Sequence, residues 1–184
     1  MILTDREIKN SLTSGLISID PPPSRDAFNA TTVDLTLDKT LRIFKKTTPG
    51  LSVAVDPGMQ GYTTRALIMA VTDPFTLPDD GWDLKPDLLV LGWTRERVEL
   101  RSHGRVAGRV EGKSGLARIG LGIHVTAPII HAGFIGRIQL EIINHGPMPI
   151  KLRPGLPICQ LVFELTLGIP DKAYEGQFLG QQAV

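Results

Sequence analysis

The sequence is short of the groups that most often build a reactive centre. Its 184 residues include one cysteine, Cys159, so no internal disulfide can form and no multi-cysteine zinc site can be assembled. There is no G-x-S-x-G elbow, and Cys159 sits in PICQLVF, where a buried strand residue belongs. Nucleophilic catalysis therefore has no good candidate. Charge of one sign is also missing: the formal net charge is +1, which removes bulk attraction as a reason to bind nucleic acid or a membrane. A small anionic ligand needs only a local cluster of cations and stays possible. The longest apolar stretches, such as LLVLGW, are far short of a membrane span. Charges arrive at once in the opening MILTDREIKN, so no secretory leader is expected. No fixed-period repeat stands out, and a soluble cytoplasmic protein is the expectation.

What is present suits an ordinary folded domain. Apolar residues make up 42% and charged residues 21%, so global disorder is not expected, and the length suits one domain over residues 1–184. Residues 1–15 carry a helical signal, with Thr4 and Glu7 spaced as a capping box, Ile8 and Leu12 on one face and Gly15 as a stop. After PPPS, Val33, Leu35 and Leu37 alternate with Asp34, Thr36 and Asp38, as a strand would. Residues 49–87 are rich in proline and glycine and read as loops and short strands, RALIMAV among them. From 88 onward short β-rich segments follow one another between turn residues. One helical pattern among so many strands predicts a mainly β, antiparallel sandwich or barrel. The tail PDKAYEGQFLGQQAV is polar, with only Tyr174 and Phe178 to bury.

Two features could carry chemistry. EGKSGLARIGLG, residues 111–122, gathers Lys113, Ser114, Gly115 and Arg118. Its glycines let backbone N–H groups approach a ligand and its cations suit phosphate, although P-loop spacing is absent. The second is Glu141 in GRIQLEIIN, where Ile138, Leu140 and Ile142 alternate with Arg137, Gln139, Glu141 and Ile143. A carboxylate among apolar neighbours is costly to bury unless paired. It either faces solvent or pairs with Arg137, or it lines a pocket with a raised pKa suited to moving protons near neutrality. Of the four histidines, His124 reads as a satisfied core or interface residue. The H-x-E and P-C-x-x-C pair of zinc-dependent nucleobase deaminases cannot be formed with one cysteine.

Taken together, EGKSGLARIGLGIHVTAPIIHAGFIGRIQLEIINHGPMPIKLRPGLPICQLVFE resembles the central block of the dCTP deaminases, members of the trimeric dUTPase-like superfamily. The family pattern runs G-R-S-S-L-A-R-L-G-L, H-x-T-A, I-D-P-G-F-x-G-x-I-x-L-E, then N-x-G-x-L-P-I-x-L-x-P-G-M-x-I-x-Q-L. MILTDREI, ATTVDLTL and the Gln-rich tail also look like that family. The resemblance implies a distorted antiparallel β jelly roll of the dUTPase-like type with a short N-terminal helix. It implies a homotrimer with active sites at subunit interfaces, and residues 166–184 as a mobile lid. It implies zinc-free hydrolytic deamination of dCTP to dUTP, with Mg²⁺ held by the triphosphate, and brings in dTTP as a candidate feedback inhibitor. The catalytic glutamate falls on Glu141. The phosphate-binding loop falls on Lys113, Ser114, Gly115, Leu116, Ala117 and Arg118. The backbone of Gln139 and Leu140 would read the cytosine edge, His131 would meet the sugar, and Tyr174, Gln177 and Gln181 would approach the triphosphate.

Departures from the pattern matter too. Lys113 and Gly115 stand where the family has arginine and a second serine; lysine neutralises phosphate but cannot fork around it. Gln177 stands where many members carry lysine. His131 replaces the aspartate of D-P-G-F, and a neutral imidazole can still hydrogen-bond a hydroxyl but is a poor carboxylate substitute near Mg²⁺. Two alternatives stay open: a bifunctional enzyme that also cleaves dUTP to dUMP, and a nucleotide-binding homologue without turnover.

Overall fold

Alternation decides the centre of the molecule. In the computed structural model, which describes residues 1–46, 54–172, 174, 180 and 182–183, Ile135–Asn144 form one long strand, called β9 in chain order. Its Ile138, Leu140 and Ile142 point into the core at 4%, 1% and 0% exposure, while Arg137, Gln139, Glu141 and Ile143 occupy the half-buried opposite face. The strands before it are β1 (Ile17–Asp20), β2 (Thr32–Phe44), β3 (Thr72–Thr76), β4 (Trp82–Leu84), β5 (Leu89–Leu100), β6 (Val106–Gly112), β7 (Leu121–Gly122) and β8 (Ile129–Ile130). After it come β10 (Ile150–Leu152) and β11 (Pro157–Leu165).

Antiparallel pairing gathers nine of these strands into a curled sheet in the order β7-β9-β5-β2-β11-β6-β8, with β1 added to β5 and β3 to β2, while β4 and β10 pair with each other. The fold is mostly β, as the strand-rich sequence predicted. One face carries the apolar core, with Val33, Leu35 and Leu37 of β2, Val90 and Val98 of β5, and Leu161 and Phe163 of β11 all fully buried. Removing each such side chain from water contributes roughly 1.5–3 kcal/mol, so alternation fixes the strands' rotation. Cys159 lies within this core, and burial pushes its thiol well above the usual range, which leaves it unreactive. Among the described residues no helix is long and apolar enough to cross a membrane.

Helices are peripheral. Asp5–Thr13 form α1, whose Ile8 is fully buried. Thr4 precedes it, but its hydroxyl donates to the Glu7 carboxylate instead of forming the reciprocal capping box expected from the spacing. The stretch expected to be loop or short strand around RALIMAV is a helix, α2 (Thr64–Val71). The Thr63 hydroxyl accepts from the Ala66 N–H at 3.3 Å and caps it, and the alanine, leucine and methionine content favours helix over strand. A five-residue helix, α3 (Ser114–Arg118), replaces the loop expected there. Residues 47–53, part of the proline- and glycine-rich region, lie outside the described residues.

The register of β9 against β5 contains one irregularity. Trp93 pairs with Gln139, but the next partners are Arg97 and Arg137. Thr94, at 0% exposure, repairs the ladder at this bulge: its hydroxyl donates to the Glu96 carbonyl at 2.8 Å and accepts from the Ile138 N–H at 3.0 Å. A buried N–H would otherwise go unpaired one residue before Gln139. Thr94→Val is therefore expected to destabilise the fold by about 1–3 kcal/mol in chemical denaturation, while Thr94→Ser, which keeps the hydroxyl, stays close to the parent.

Candidate active site

A pocket of about 270 Å³ opens beside the half-buried face of β9. Its walls include Gln139, Leu140 and Glu141 from β9, His124 and Ala127 from the segment after β7, His131 and Phe134 from the turn before β9, and Tyr174 from the tail. Pairing of Gly122 with Ile143 brings the segment after β7 alongside β9. On the other side, Leu91 of β5 stands directly opposite Glu141 and is 5% exposed, so an apolar cross-strand neighbour excludes water from the carboxylate.

Desolvation dominates the electrostatics of Glu141 and holds its pKa above the ordinary glutamate value near 4.5. Two backbone N–H groups, of Val125 and of Glu141 itself, and the charge of His124 pull weakly the other way; the Val125 N–H reaches Oε2 at 3.4 Å. Arg137, the expected partner, is bound instead to Asp38 across the sheet. Neutralisation by a neighbouring cation is therefore not what makes Glu141 tolerable here.

His124 departs from expectation. It was read as a satisfied histidine, yet its Nδ1 is buried and makes no hydrogen bond with any described residue. It lines the pocket beside Glu141. Spacing alone could not have revealed this, since HVTA carries no periodicity that orients the ring. Phe134 was likewise not singled out in the sequence; its ring lies 6.2 Å from that of Tyr174.

His131 stacks on Tyr174, with ring centroids 5.3 Å apart and planes inclined by 24°. This contact is open to an imidazole and closed to the aspartate of the family pattern. Gly133 makes it possible: its φ is +90°, and a Cβ there would lie 3.2 Å from the Tyr174 backbone nitrogen. Further along, the Gly180 N–H donates to the Ile135 carbonyl at 2.7 Å, so the tail meets the start of β9 a second time.

Not every residue singled out in the sequence meets in this pocket. Glu141, Gln139, Leu140, His131 and Tyr174 do. Lys113, Ser114, Gly115, Leu116, Ala117 and Arg118 are not part of its walls; they form the junction of β6 and α3, with Ser114, Gly115, Ala117 and Arg118 exposed. Lys113 is ion-paired with Asp34. Gln177 and Gln181 lie outside the described residues. Among the described residues no group of three or more His, Cys, Asp or Glu is gathered to hold a metal ion.

Because the pKa of Glu141 is raised on folding, protonation favours the folded state. That contribution is fully present below the unfolded value and is lost as pH rises through the folded one. Glu141→Gln is thus expected to raise the melting temperature at pH 7–8 by on the order of 2 °C, with the difference from the parent vanishing below about pH 4. Scanning calorimetry across that range checks it.

Comparison with known proteins gives the family and the fold. The family model described as dCTP deaminase-like matches residues 2–166. A dCTP deaminase from Rhodospirillum rubrum is 39% identical over 178 residues, covering 95% of this chain and 87% of that protein. One from Shewanella amazonensis is 38% identical over 95% of this chain and 88% of its own length. The 2'-deoxycytidine 5'-triphosphate deaminase of Agrobacterium tumefaciens superposes with a TM-score of 0.68 at 20% identity over 89% of this chain, which spans about half (48%) of that longer chain. A mutant dUTPase from phage phi11 of S. aureus matches with a TM-score of 0.51 at 13% identity over 87% of this chain and 97% of its own. The fold is that of the dUTPase-like proteins, and the chain belongs to the dCTP deaminase-like family.

Proposed function

We propose that the protein is a cytoplasmic hydrolase that deaminates dCTP to dUTP and ammonia, acting on the amidine C–N bond of the cytosine ring with Glu141 as the proton-transfer group. The observation that carries this reading is a partly desolvated carboxylate with a raised pKa in the wall of a small pocket. Ionised Glu141 takes a proton from water as the oxygen adds to C4 of cytosine. The same carboxyl then delivers that proton to N3, takes the remaining proton of the C4 hydroxyl and passes it to the C4 amine, so that the C4 carbonyl forms as the C–N bond breaks and ammonia leaves. One group doing both jobs works best with a pKa near the working pH, and exclusion of water by Leu91 moves Glu141 in that direction.

The rest of the pocket positions the nucleotide. Backbone groups of Gln139 and Leu140, in the strand that carries Glu141, hold the pyrimidine edge. The stacked His131–Tyr174 pair walls the sugar side, and tail residues 166–184, with Gln177 and Gln181, close over the triphosphate as a lid. The whole chain, 1–184, is one domain with its helical segment at 1–15. Mg²⁺ arrives as part of the substrate, carried by phosphate oxygens. The largely exposed segment Lys113–Arg118 serves a neighbouring copy's pocket in a homotrimer. Its absence from the walls of its own pocket supports that arrangement, as do exposed apolar side chains close by, Val125 at 60% and Ile129 at 51%. A protein that exposes such residues beside a pocket commonly covers them with a partner. dTTP, a pyrimidine triphosphate of the same shape, is the feedback ligand this pocket would accept.

The second activity, cleavage of dUTP to dUMP, is disfavoured because His131 offers an imidazole already stacked on Tyr174 where a carboxylate would orient water. Incubation with dCTP and separately with dUTP, in Mg²⁺, resolves the readings by product. Ammonia without pyrophosphate is expected from dCTP, and no turnover of dUTP. Pyrophosphate would instead identify a diphosphatase, and saturable binding without product a sensor. Glu141→Gln is expected to lower dCTP turnover by about 10²–10⁴-fold, the usual contribution of a positioned acid–base group; equal turnover by both proteins would remove Glu141 from the chemistry.

A further inference from the structure

The sheet, not the chain, brings Asp34 and Lys113 together. In β11, Gln160 is in register with Asp34 of β2 on one side and with Glu111 of β6 on the other. Lys113 follows Glu111 by two residues in still-extended backbone, at φ −83° and ψ 126°, so its side chain leaves from the same face. From there the ammonium reaches back over β11 to Asp34 Oδ2. The pair is sheltered, with side-chain exposures of 25% for Lys113 and 14% for Asp34. The second carboxylate oxygen, Oδ1, accepts from Asn29 Nδ2 at 3.1 Å and from Gln160 Nε2 at 3.4 Å. Asp34 is therefore held from both ends, whereas Lys113 is tied at its tip alone and begins a segment whose Ser114, Gly115 and Arg118 are exposed.

We propose that Asp34 is a built-in counter-ion that holds the phosphate-binding lysine in reserve, and that an incoming triphosphate displaces it. This rests on the reading of Lys113 as a phosphate ligand given above. Lys113 is neutralised in the free protein, so the phosphate chain must offer its ammonium more than one carboxylate oxygen does. A triphosphate, with several charged oxygens, can; a monophosphate competes poorly. The exchange also gives a physical reason for lysine where the family pattern has arginine. An ammonium on a flexible stem makes point contacts and swings from one anion to another, whereas a guanidinium would fork around Asp34 and release it less readily. Asp34 is thus a positioning residue: it acts on the substrate through Lys113.

Calorimetric titration with inorganic tripolyphosphate tests the exchange without depending on turnover. Asp34→Asn should tighten tripolyphosphate binding about fivefold, the scale of a partly exposed ion pair, and Asp34→Glu should return it toward the parent. In a Lys113→Met background the effect of Asp34→Asn should disappear. Asn29→Ala removes a donor from Asp34 without touching the ion pair, leaves the carboxylate a stronger partner for Lys113, and should weaken binding about twofold. The proposal is overturned by Asp34→Asn binding that is unchanged or weaker, by tightening that survives without Lys113, or by no tripolyphosphate binding in any of these proteins. Should ammonia release fail while this pattern holds, the deaminase reading falls and the counter-ion stands; ammonia release without the pattern does the reverse.

Discussion

A carboxylate that loses water without entering an ion pair with any described residue is the constraint around which this molecule is arranged. Glu141 is placed by the alternation of β9 and dried by Leu91 across the ladder, and receives only two backbone N–H groups and the lesser pull of the His124 charge in return. Arg137, on the same face of β9, is engaged elsewhere, with Asp38. A paired glutamate would be ionised throughout the physiological range and of little use as an acid. An unpaired, half-buried one has its pKa moved upward from the ordinary glutamate value, toward the range where it can both take and give a proton.

Precision of placement comes from the ladder. Glu141 lies three strand positions past Ile138, the β9 residue at the irregular step, and any slip of one residue there would turn it into the core. Thr94 prevents the slip by lending its hydroxyl to the Ile138 N–H at the irregular step. The aromatic wall is built on the same economy of parts: Gly133, in a left-handed conformation, lets the backbone of Tyr174 approach, and His131 supplies a flat partner for its ring. Family membership does not require this stacked pair, because it arises where the chain departs from the family's aspartate.

Period-two patterns made the strands readable in advance. Val33, Leu35 and Leu37, and again Ile138, Leu140 and Ile142, are all inside, and the rotation of Glu141 onto the opposite face follows from them. The linked motifs around it made the family readable as well. What escaped the sequence was set in one place by local capping and elsewhere by contacts between distant segments. RALIMAV is as apolar as a strand, and only a threonine cap and helix-forming side chains turn it into α2. Lys113 looks like a free cation until the sheet brings Asp34 to it across β11. His124 reads as a satisfied core or interface residue because nothing in HVTA shows that Nδ1, in the wall it shares with Glu141, makes no hydrogen bond with any described residue. The segment 113–118 could be recognised as cationic and glycine-bearing, but its absence from the pocket walls of its own chain is a fact of three dimensions.

The most direct test is the titration of Glu141 itself. Carbon-13 NMR of the glutamate side-chain carboxyls, with the Glu141 signal assigned by its loss in Glu141→Gln, reports the midpoint without reference to any substrate. Burial without a cation predicts a midpoint clearly above the ordinary value near 4.5. A midpoint at or below that value would mean that the carboxylate is solvated or paired, and would contradict the account.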